Sequence, residues 1–117
     1  VEAGTLFISQ GQPADTLYFL AAGQTTARLQ MPDGSFVRLE TMGSGRIIGE
    51  VGFFLGGRRT ADVLADEPST LFRLTRDDLS RMEEADPQAA SLLHRLVANI
   101  LAERVMRLTN SVNALER

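Results

Sequence analysis

The periodicity of the apolar residues changes near Thr75, and this change restricts the fold more than any other feature of the sequence. Before it, short apolar or alternating runs are separated at regular intervals by turn sequences that contain Gly, Pro and Asp. The runs are too short for helices, so they predict about seven strands in a small antiparallel roll or barrel. After it, the apolar residues follow a helical period. The sequence therefore predicts a mainly β fold followed by helices.

Two helices are predicted in this second part. Thr75, with Asp77 and Asp78 behind it, has the composition of an N-cap and an acidic first turn, which predicts a short helix to about residue 85. Asp86 and Pro87 then predict the N-cap and first residue of a long helix. Its first half carries a wide apolar stripe, typical of packing on the roll, formed by Leu92, Leu93, Leu96, Val97, Ile100 and Leu101.

The second half of the long helix has a narrower apolar pattern. Spacings of 4, 3, 4 and 3 residues, typical of a coiled-coil seam, separate Leu101, Val105, Leu108, Val112 and Leu115. An amphipathic helix packed on its own domain would give a similar pattern, so both interpretations stay open. Because a narrow stripe that extends beyond the roll would otherwise be exposed, we predict a homodimer through this helix.

Residues 47–65 hold the groups that point to chemistry. Gly49 and Glu50 come first, a short apolar turn follows, and Arg58 and Arg59 come after two glycines. A short helix here would point free N–H groups at an anion, and a guanidinium fork matches two phosphate oxygens. Glu50 beside a phosphate requires a donor such as a ribose hydroxyl, which predicts a nucleotide. Taken alone, a Glu and an Arg nine residues apart would be interpreted as a solvated surface pair.

These residues resemble a known family. Gly49, Glu50, Gly52 and Arg59, followed by Thr60 and Ala61, are similar to the phosphate-binding cassette of cyclic nucleotide-binding domains, and the glycine spacing upstream resembles that family's β-roll, as at Gly11, Gly23 and Gly45. The resemblance covers nearly the whole chain. The sequence departs from the family pattern at Arg58, where Pro is common, at Ile48, where Phe is usual, and at Gly52, where Ala is common.

The resemblance implies one cyclic nucleotide-binding domain over residues 1–117. Residues 1–74 would form an antiparallel β-roll, a jelly-roll-like double-stranded β-helix, that contains the cassette at residues 48–61. Residues 75–117 would form a hinge helix and a long C-terminal helix. Ligand binding would tighten the cassette and move these helices.

The resemblance also implies roles for individual residues. Glu50 would accept the ribose 2′-hydroxyl, Arg59 would pair with the cyclic phosphate, and the N–H groups of Gly52 and Thr60 would cradle its oxygens. The full set of ligand-binding residues that we predict is Gly49, Glu50, Val51, Gly52, Arg58, Arg59 and Thr60 in the cassette, Ala27, Leu39 and Met42 around the base, and Arg104, with Glu103 as an alternative, on the long helix. The ligand would be cyclic AMP or cyclic GMP. Family frequency favours cyclic AMP, whereas the hydroxyl of Thr60 would suit guanine.

Composition excludes several other classes of function. The chain has no cysteine and no lysine, so it cannot build a Cys-ligated zinc site or a Walker loop. It has one histidine, His94, which is too few for the multi-histidine metal site of the cupin family. We therefore predict no metal and no catalysis. A net charge of −3 argues against a nucleic-acid surface. No run approaches the roughly 18 apolar residues of a membrane span. The absence of cysteine fits a reducing cytoplasm, so a cytoplasmic location is expected, including as the cytoplasmic domain of a membrane protein.

The sequence thus predicts a cyclic nucleotide sensor that signals to the rest of a larger parent protein. A strand-like start without Met leads us to expect a piece of a longer chain. The segment Leu92-Leu93-His94-Arg95, with Ala102-Glu103-Arg104, is loosely similar to nucleotide-binding domains of bacterial sulfate-permease transporters. The alternative is a degenerate β-roll that has lost its ligand and acts as a dimerising interaction module.

Overall fold

A computed structural model describes the backbone of residues 1–115 and the side chains of residues 1–112. The described residues form seven strands and three helices. In chain order these are β1 (Leu6–Ile8), β2 (Thr16–Ala22), β3 (Gln24–Gln30), β4 (Phe36–Gly43), β5 (Ile47–Ile48), α1 (Glu50–Leu55), β6 (Asp62–Ala65), β7 (Thr70–Thr75), α2 (Arg76–Ala85) and α3 (Pro87–Leu115).

The strands form two antiparallel sheets. One has the order β1-β6-β3-β4, and the other has the order β5-β2-β7. The predicted antiparallel, jelly-roll-like β fold followed by a short and a long helix is confirmed. Strand β5 was not expected, because its two residues become a strand only through their pairing with Tyr18 and Phe19 of β2.

The roll has one apolar core, to which both sheets contribute alternate side chains. Its buried cluster is Ile8, Leu20, Met42, Ile48 and Val63. Phe7 and Tyr18 pack on this cluster and meet edge to face with their ring centroids 5.3 Å apart. Because Ile48 is in this cluster and directly precedes Gly49, the core fixes the position of the chain just before α1.

The chain forms two compact units, Val1–Arg76 and Asp77–Arg117, and the first contains all seven strands and α1. In the second unit, the Asp86 carboxylate accepts a hydrogen bond from the Ala89 N–H at 3.1 Å, so the predicted N-cap of α3 is confirmed. His94 lies beside Glu83, with Nε2 to Oε1 at 3.4 Å. Among the described residues, no helix combines the length and the apolarity needed to cross a bilayer.

The apolar stripe in the first half of α3 is narrower than predicted. Ala90 and Val97 are buried, and Leu93 and Ile100 are half-buried. Leu92 and Leu96 are exposed instead. They lie to one side of the stripe because a spacing of one or two residues turns a helix by roughly 100° or 200°.

Candidate functional site

Helix α1 is bounded by two glycines in the left-handed conformation. Gly49 is the N-cap with φ 84°, and Gly56 is the C-cap with φ 73°. The Gly56 N–H donates to the Gly52 carbonyl at 2.9 Å and closes the last turn. Residues with a side chain carry a free-energy cost in this conformation. The glycines therefore let a six-residue helix start directly after β5 and stop at Leu55. The buried Phe53 anchors the helix to the roll.

Glu50 is the first residue of α1 and is only 1% exposed. The N-terminal end of a helix favours a carboxylate, because its free N–H groups carry partial positive charge. Burial of a carboxylate otherwise carries a large desolvation cost. The interpretation of Glu50 as a solvated surface residue is therefore wrong.

Arg59 is also buried, at 8% exposed, and its side chain reaches the start of α1. Its Nη1 donates to the Gly49 carbonyl at 3.0 Å, and its Nη2 donates to the Thr16 carbonyl. The main chain of Arg59 is fixed as well, because its N–H donates to the Gln12 carbonyl at 2.7 Å and its carbonyl accepts from the Gly11 N–H at 2.9 Å. Both hydrogen bonds of the guanidinium thus go to main-chain carbonyls.

At two glycines of the cassette, close contacts leave no room for a side chain. A Cβ on Gly49 would lie 2.5 Å from Arg59 Nη1, and a Cβ on Gly52 would lie 2.7 Å from the Cβ of Ala14. The first contact lets the guanidinium lie against the main chain. The second excludes a side chain at Gly52, since the β1–β2 loop places the Ala14 methyl group there.

The charge of Arg59 is held in a poorly solvated position. Burial lowers the pKa of Arg59, and nearby Tyr18, Asp15 and Glu50 partly oppose that shift, while the positive charge of Arg76 adds to it. An arginine stays protonated at neutral pH despite such a shift. Among the described residues, no salt bridge involves Arg59. The position is therefore electrostatically suited to an anion.

The other predicted cassette side chains are more exposed than Glu50 and Arg59. Arg58 is exposed, and its Nη1 donates to the Gly11 carbonyl at 2.9 Å. Thr60 is exposed and Val51 is half-buried. The structure thus separates the two arginines, since one is buried against α1 and the other lies over the β1–β2 loop.

The residues predicted around the base do not share one environment. Met42 belongs to the core cluster, and Ala27 packs against that cluster. Leu39 is 54% exposed. The β3–β4 register shifts beside it, so Leu39 is the extra residue of a bulge. Arg104 lies on α3 in the second unit and is half-buried.

One residue near the site, Arg76, was not predicted from the sequence. Its Nη2 donates to the Ala14 carbonyl at 3.0 Å and also to the Phe53 carbonyl at the end of α1. Its guanidinium carbon lies 4.7 Å from the centroid of the Phe53 ring. The sequence offers no local signal for these contacts, because Ala14 and Arg76 are 62 residues apart.

Comparison with known sequences identifies the family. Residues 1–86 match the family described as cyclic nucleotide-binding domain. The chain is 36% identical over 105 residues to Glutaminase 1 of Bradyrhizobium diazoefficiens, a match that covers 90% of this chain and 16% of that protein. It is 28% identical over 109 residues to the CRP-like cAMP-activated global transcriptional regulator of Mycobacterium tuberculosis, with coverage of 93% and 47%. It spans about a sixth of the length of its glutaminase relatives.

Solved structures agree with this match. The N-terminal domain of a transcriptional regulator from Streptomyces coelicolor A3(2) superposes with a TM-score of 0.75 and 31% identity over 89% of this chain and 74% of that chain. A cyclic nucleotide-binding domain from Methylobacillus flagellatus has the same fold, with a TM-score of 0.84 and 22% identity over 92% and 60% of the two chains. The chain therefore belongs to the cyclic nucleotide-binding domain family.

Proposed function

We propose that this chain is a regulatory domain that binds cyclic AMP or cyclic GMP in the cassette around α1. Arg59 pairs with the cyclic phosphate, Glu50 accepts the ribose 2′-hydroxyl, and the N–H groups of Gly52 and Thr60 hold the phosphate oxygens. No metal takes part, and the domain itself has no catalytic role. The CRP-like relative named above is cAMP-activated, which supports cyclic AMP as the first ligand to test.

The observation that carries this proposal is the buried guanidinium of Arg59. It lies against Gly49 with main-chain carbonyls as its hydrogen-bond partners, and burial lowers its pKa. A phosphate would give this group a bidentate anionic partner and reverse the desolvation effect.

The ribose and the base are assigned to separate parts of the roll. The buried carboxylate of Glu50, two residues before Gly52, suits a sugar hydroxyl more than an exposed ion pair. Ala27, Met42 and Leu39 contact the base, with Arg104 or Glu103 as its polar partner from α3. If the ligand is cyclic GMP, the exposed Thr60 hydroxyl contacts the guanine.

The output of the sensor lies outside this chain. The glutaminase relatives support attachment of such a domain to a much larger protein. We propose a cytoplasmic parent that is regulated through α2 and α3. A transporter parent of the sulfate-permease type stays a prediction.

Isothermal titration calorimetry of the chain with each cyclic nucleotide tests the proposed function. We expect micromolar affinity, roughly −8 kcal/mol, for at least one of them. Arg59→Gln should weaken binding by two orders of magnitude or more, on the basis of about 3 kcal/mol for a charged hydrogen-bonded pair. Arg58→Gln should have a smaller effect, and Arg73→Gln removes the same charge from an exposed position on β7 as a matched control. Absence of binding by the folded wild-type chain would refute the proposal.

A second function, dimerisation, is supported by the exposed apolar side chains of α3. Four members of the predicted seam are at least partly exposed: Leu101, Val105, Leu108 and Val112. The side chain of Leu115, the fifth member, lies outside the described residues. We propose that this stripe pairs with a second copy of the chain. Analytical ultracentrifugation should show a dimer that Leu108→Glu converts to a monomer. If this dimer forms without nucleotide binding, the degenerate interaction module becomes the better account.

A further inference from the structure

Two arginines hold opposite ends of α1. At the start of the helix, Arg59 donates to the Gly49 carbonyl at 3.0 Å. At the end, Arg76 donates to the Phe53 carbonyl and covers the Phe53 ring. A cation at the carboxyl end of a helix is favourable, because the terminal carbonyls carry partial negative charge.

The two arginines differ in how a ligand would affect them. A phosphate bound at the start of α1 would compete with the Gly49 and Thr16 carbonyls for Arg59. The contacts of Arg76 lie at the other end of the helix and can persist when the site fills. Arg76 also donates to the Ala14 carbonyl at 3.0 Å, in the loop whose methyl group packs beside Gly52.

Arg76 is also the first residue of α2. One side chain therefore connects the β1–β2 loop, the end of α1 and the start of the predicted hinge helix. A shift of α1 would change the hydrogen bonds of Arg76 and so act on the first turn of α2.

We propose that Arg76 is a positioning residue for the phosphate cassette, which keeps α1 in its binding position and connects α1 to the start of α2. The effect on ligand affinity rests on the proposed function, whereas the effect on the placement of α1 does not. Lysine cannot replace it fully, because an ammonium lacks the planar guanidinium that lies over the Phe53 ring while its Nη2 donates to both carbonyls.

The test compares Arg76→Met, Arg76→Lys and Arg81→Met in the full chain. Met keeps most of the apolar stem and removes the donors. Arg81 is a matched control, because it lies in the same helix, is exposed and contacts only Asp77 and Asp78 of that helix in the described structure. The first measurement is amide hydrogen exchange without nucleotide. We expect Arg76→Met to increase amide exchange in residues 52–57 and to leave exchange in the core strands unchanged. Arg76→Lys should restore part of the protection, and Arg81→Met should match the wild type.

The second measurement is calorimetric affinity for cyclic AMP and cyclic GMP. We expect Arg76→Met to weaken binding roughly tenfold, as two lost hydrogen bonds from a charged donor would, and Arg76→Lys to fall in between. Unchanged exchange in residues 52–57 would overturn the positioning role whether or not nucleotide binds. Faster exchange with unchanged affinity would overturn its role in binding. If the wild type binds neither nucleotide, the proposed function fails, and the exchange data alone decide whether Arg76 positions α1.

Discussion

The cassette and the long helix both depart from the usual distribution of apolar side chains inside and charged side chains outside, but they do so in opposite ways. Around α1, charged side chains are buried, with Glu50 at 1% and Arg59 at 8% exposed. On α3, large apolar side chains are exposed, with Val105 at 60% and Leu108 at 68%. Both arrangements carry a free-energy cost in an isolated chain. This contrast supports the two proposals made above, a polar ligand at the first region and an apolar partner surface at the second.

The two regions also differ in how they are held. The cassette is fixed from several directions, by Phe53 in the core and by hydrogen bonds to the β1–β2 loop. The described second half of α3 is stabilised by contacts within the helix, such as Glu103 to Arg107 at 4.0 Å. Such exposed pairs contribute little to stability. We therefore expect loss of a buried anchor in the cassette to lower the stability of the domain and substitutions in the seam to change assembly.

The largest expected effect is loss of the anchor of the cassette. Phe53→Ala removes a fully buried ring and should lower the free energy of unfolding by about 3–5 kcal/mol. Leu55→Ala is the matched control, because it lies in the same helix but is 80% exposed, and it should change stability by no more than about 0.5 kcal/mol. Urea denaturation followed by circular dichroism measures both. Equal losses would mean that α1 is not anchored through Phe53.

Next in size is the effect of a methyl group under α1. Gly52→Ala forces a Cβ against Ala14 and should lower the free energy of unfolding by about 1–3 kcal/mol, as overpacking does. Gly57→Ala, two residues beyond the helix, meets no atom within 4 Å and lies outside the left-handed region. It should be neutral or stabilising by up to about 1 kcal/mol. A neutral Gly52→Ala variant would contradict the close packing of α1 on the β1–β2 loop.

A smaller effect is expected in the seam. At low protein concentration, Leu108→Ala should change the free energy of unfolding by less than about 0.5 kcal/mol, because the side chain is exposed. At high concentration the loss should grow, since a dimer stabilises the folded state by mass action. Thermal denaturation at several concentrations separates the two regimes. A large loss that is independent of concentration would show that Leu108 packs within its own unit.

The smallest effect on stability is expected from Asp33, an exposed carboxylate that contrasts with the buried Glu50. In the β3–β4 turn, Asp33 Oδ1 accepts hydrogen bonds from the Ser35 hydroxyl at 2.6 Å and the Ser35 N–H at 2.9 Å, which lower the pKa of Asp33. A carboxylate whose pKa is lowered by folding stabilises the folded state at pH values above its unfolded-state pKa. This contribution is lost as the pH falls through its folded-state pKa. The stability difference between wild type and Asp33→Asn should therefore shrink on acidification. NMR titration of Asp33 should give a pKa below its ordinary value, and an unshifted pKa would contradict these hydrogen bonds.

The parts of the fold that depend on local signals could be predicted from the sequence. Strand β2 occupies the predicted residues 16–22, and Asp86 caps α3 as expected, because turn and cap residues act within a few positions. The order of the strands and the short β5 depend on pairing between distant segments, so they emerged only in the structure.

The candidate site divides in the same way. Resemblance to the family identified Gly49, Glu50 and Arg59, and the structure places them together at the start of α1. The separate positions of Arg58 and Leu39 were not predictable, because a loop carbonyl and a bulge determine them. Arg76 was missed for the same physical reason, since its partners are brought to it by the fold.

The central claim is that Glu50 and Arg59 hold the sugar and the phosphate of one cyclic nucleotide. Calorimetric affinities of the wild type and Glu50→Gln for cyclic AMP and its 2′-deoxy analogue test this claim most directly. We predict that the wild type binds the deoxy analogue at least about tenfold more weakly, because a buried carboxylate loses its hydrogen-bond donor. In Glu50→Gln, which keeps the shape and loses the charge, the difference should shrink to a few-fold. Equal wild-type affinity for both nucleotides, or no binding of either, would contradict the account.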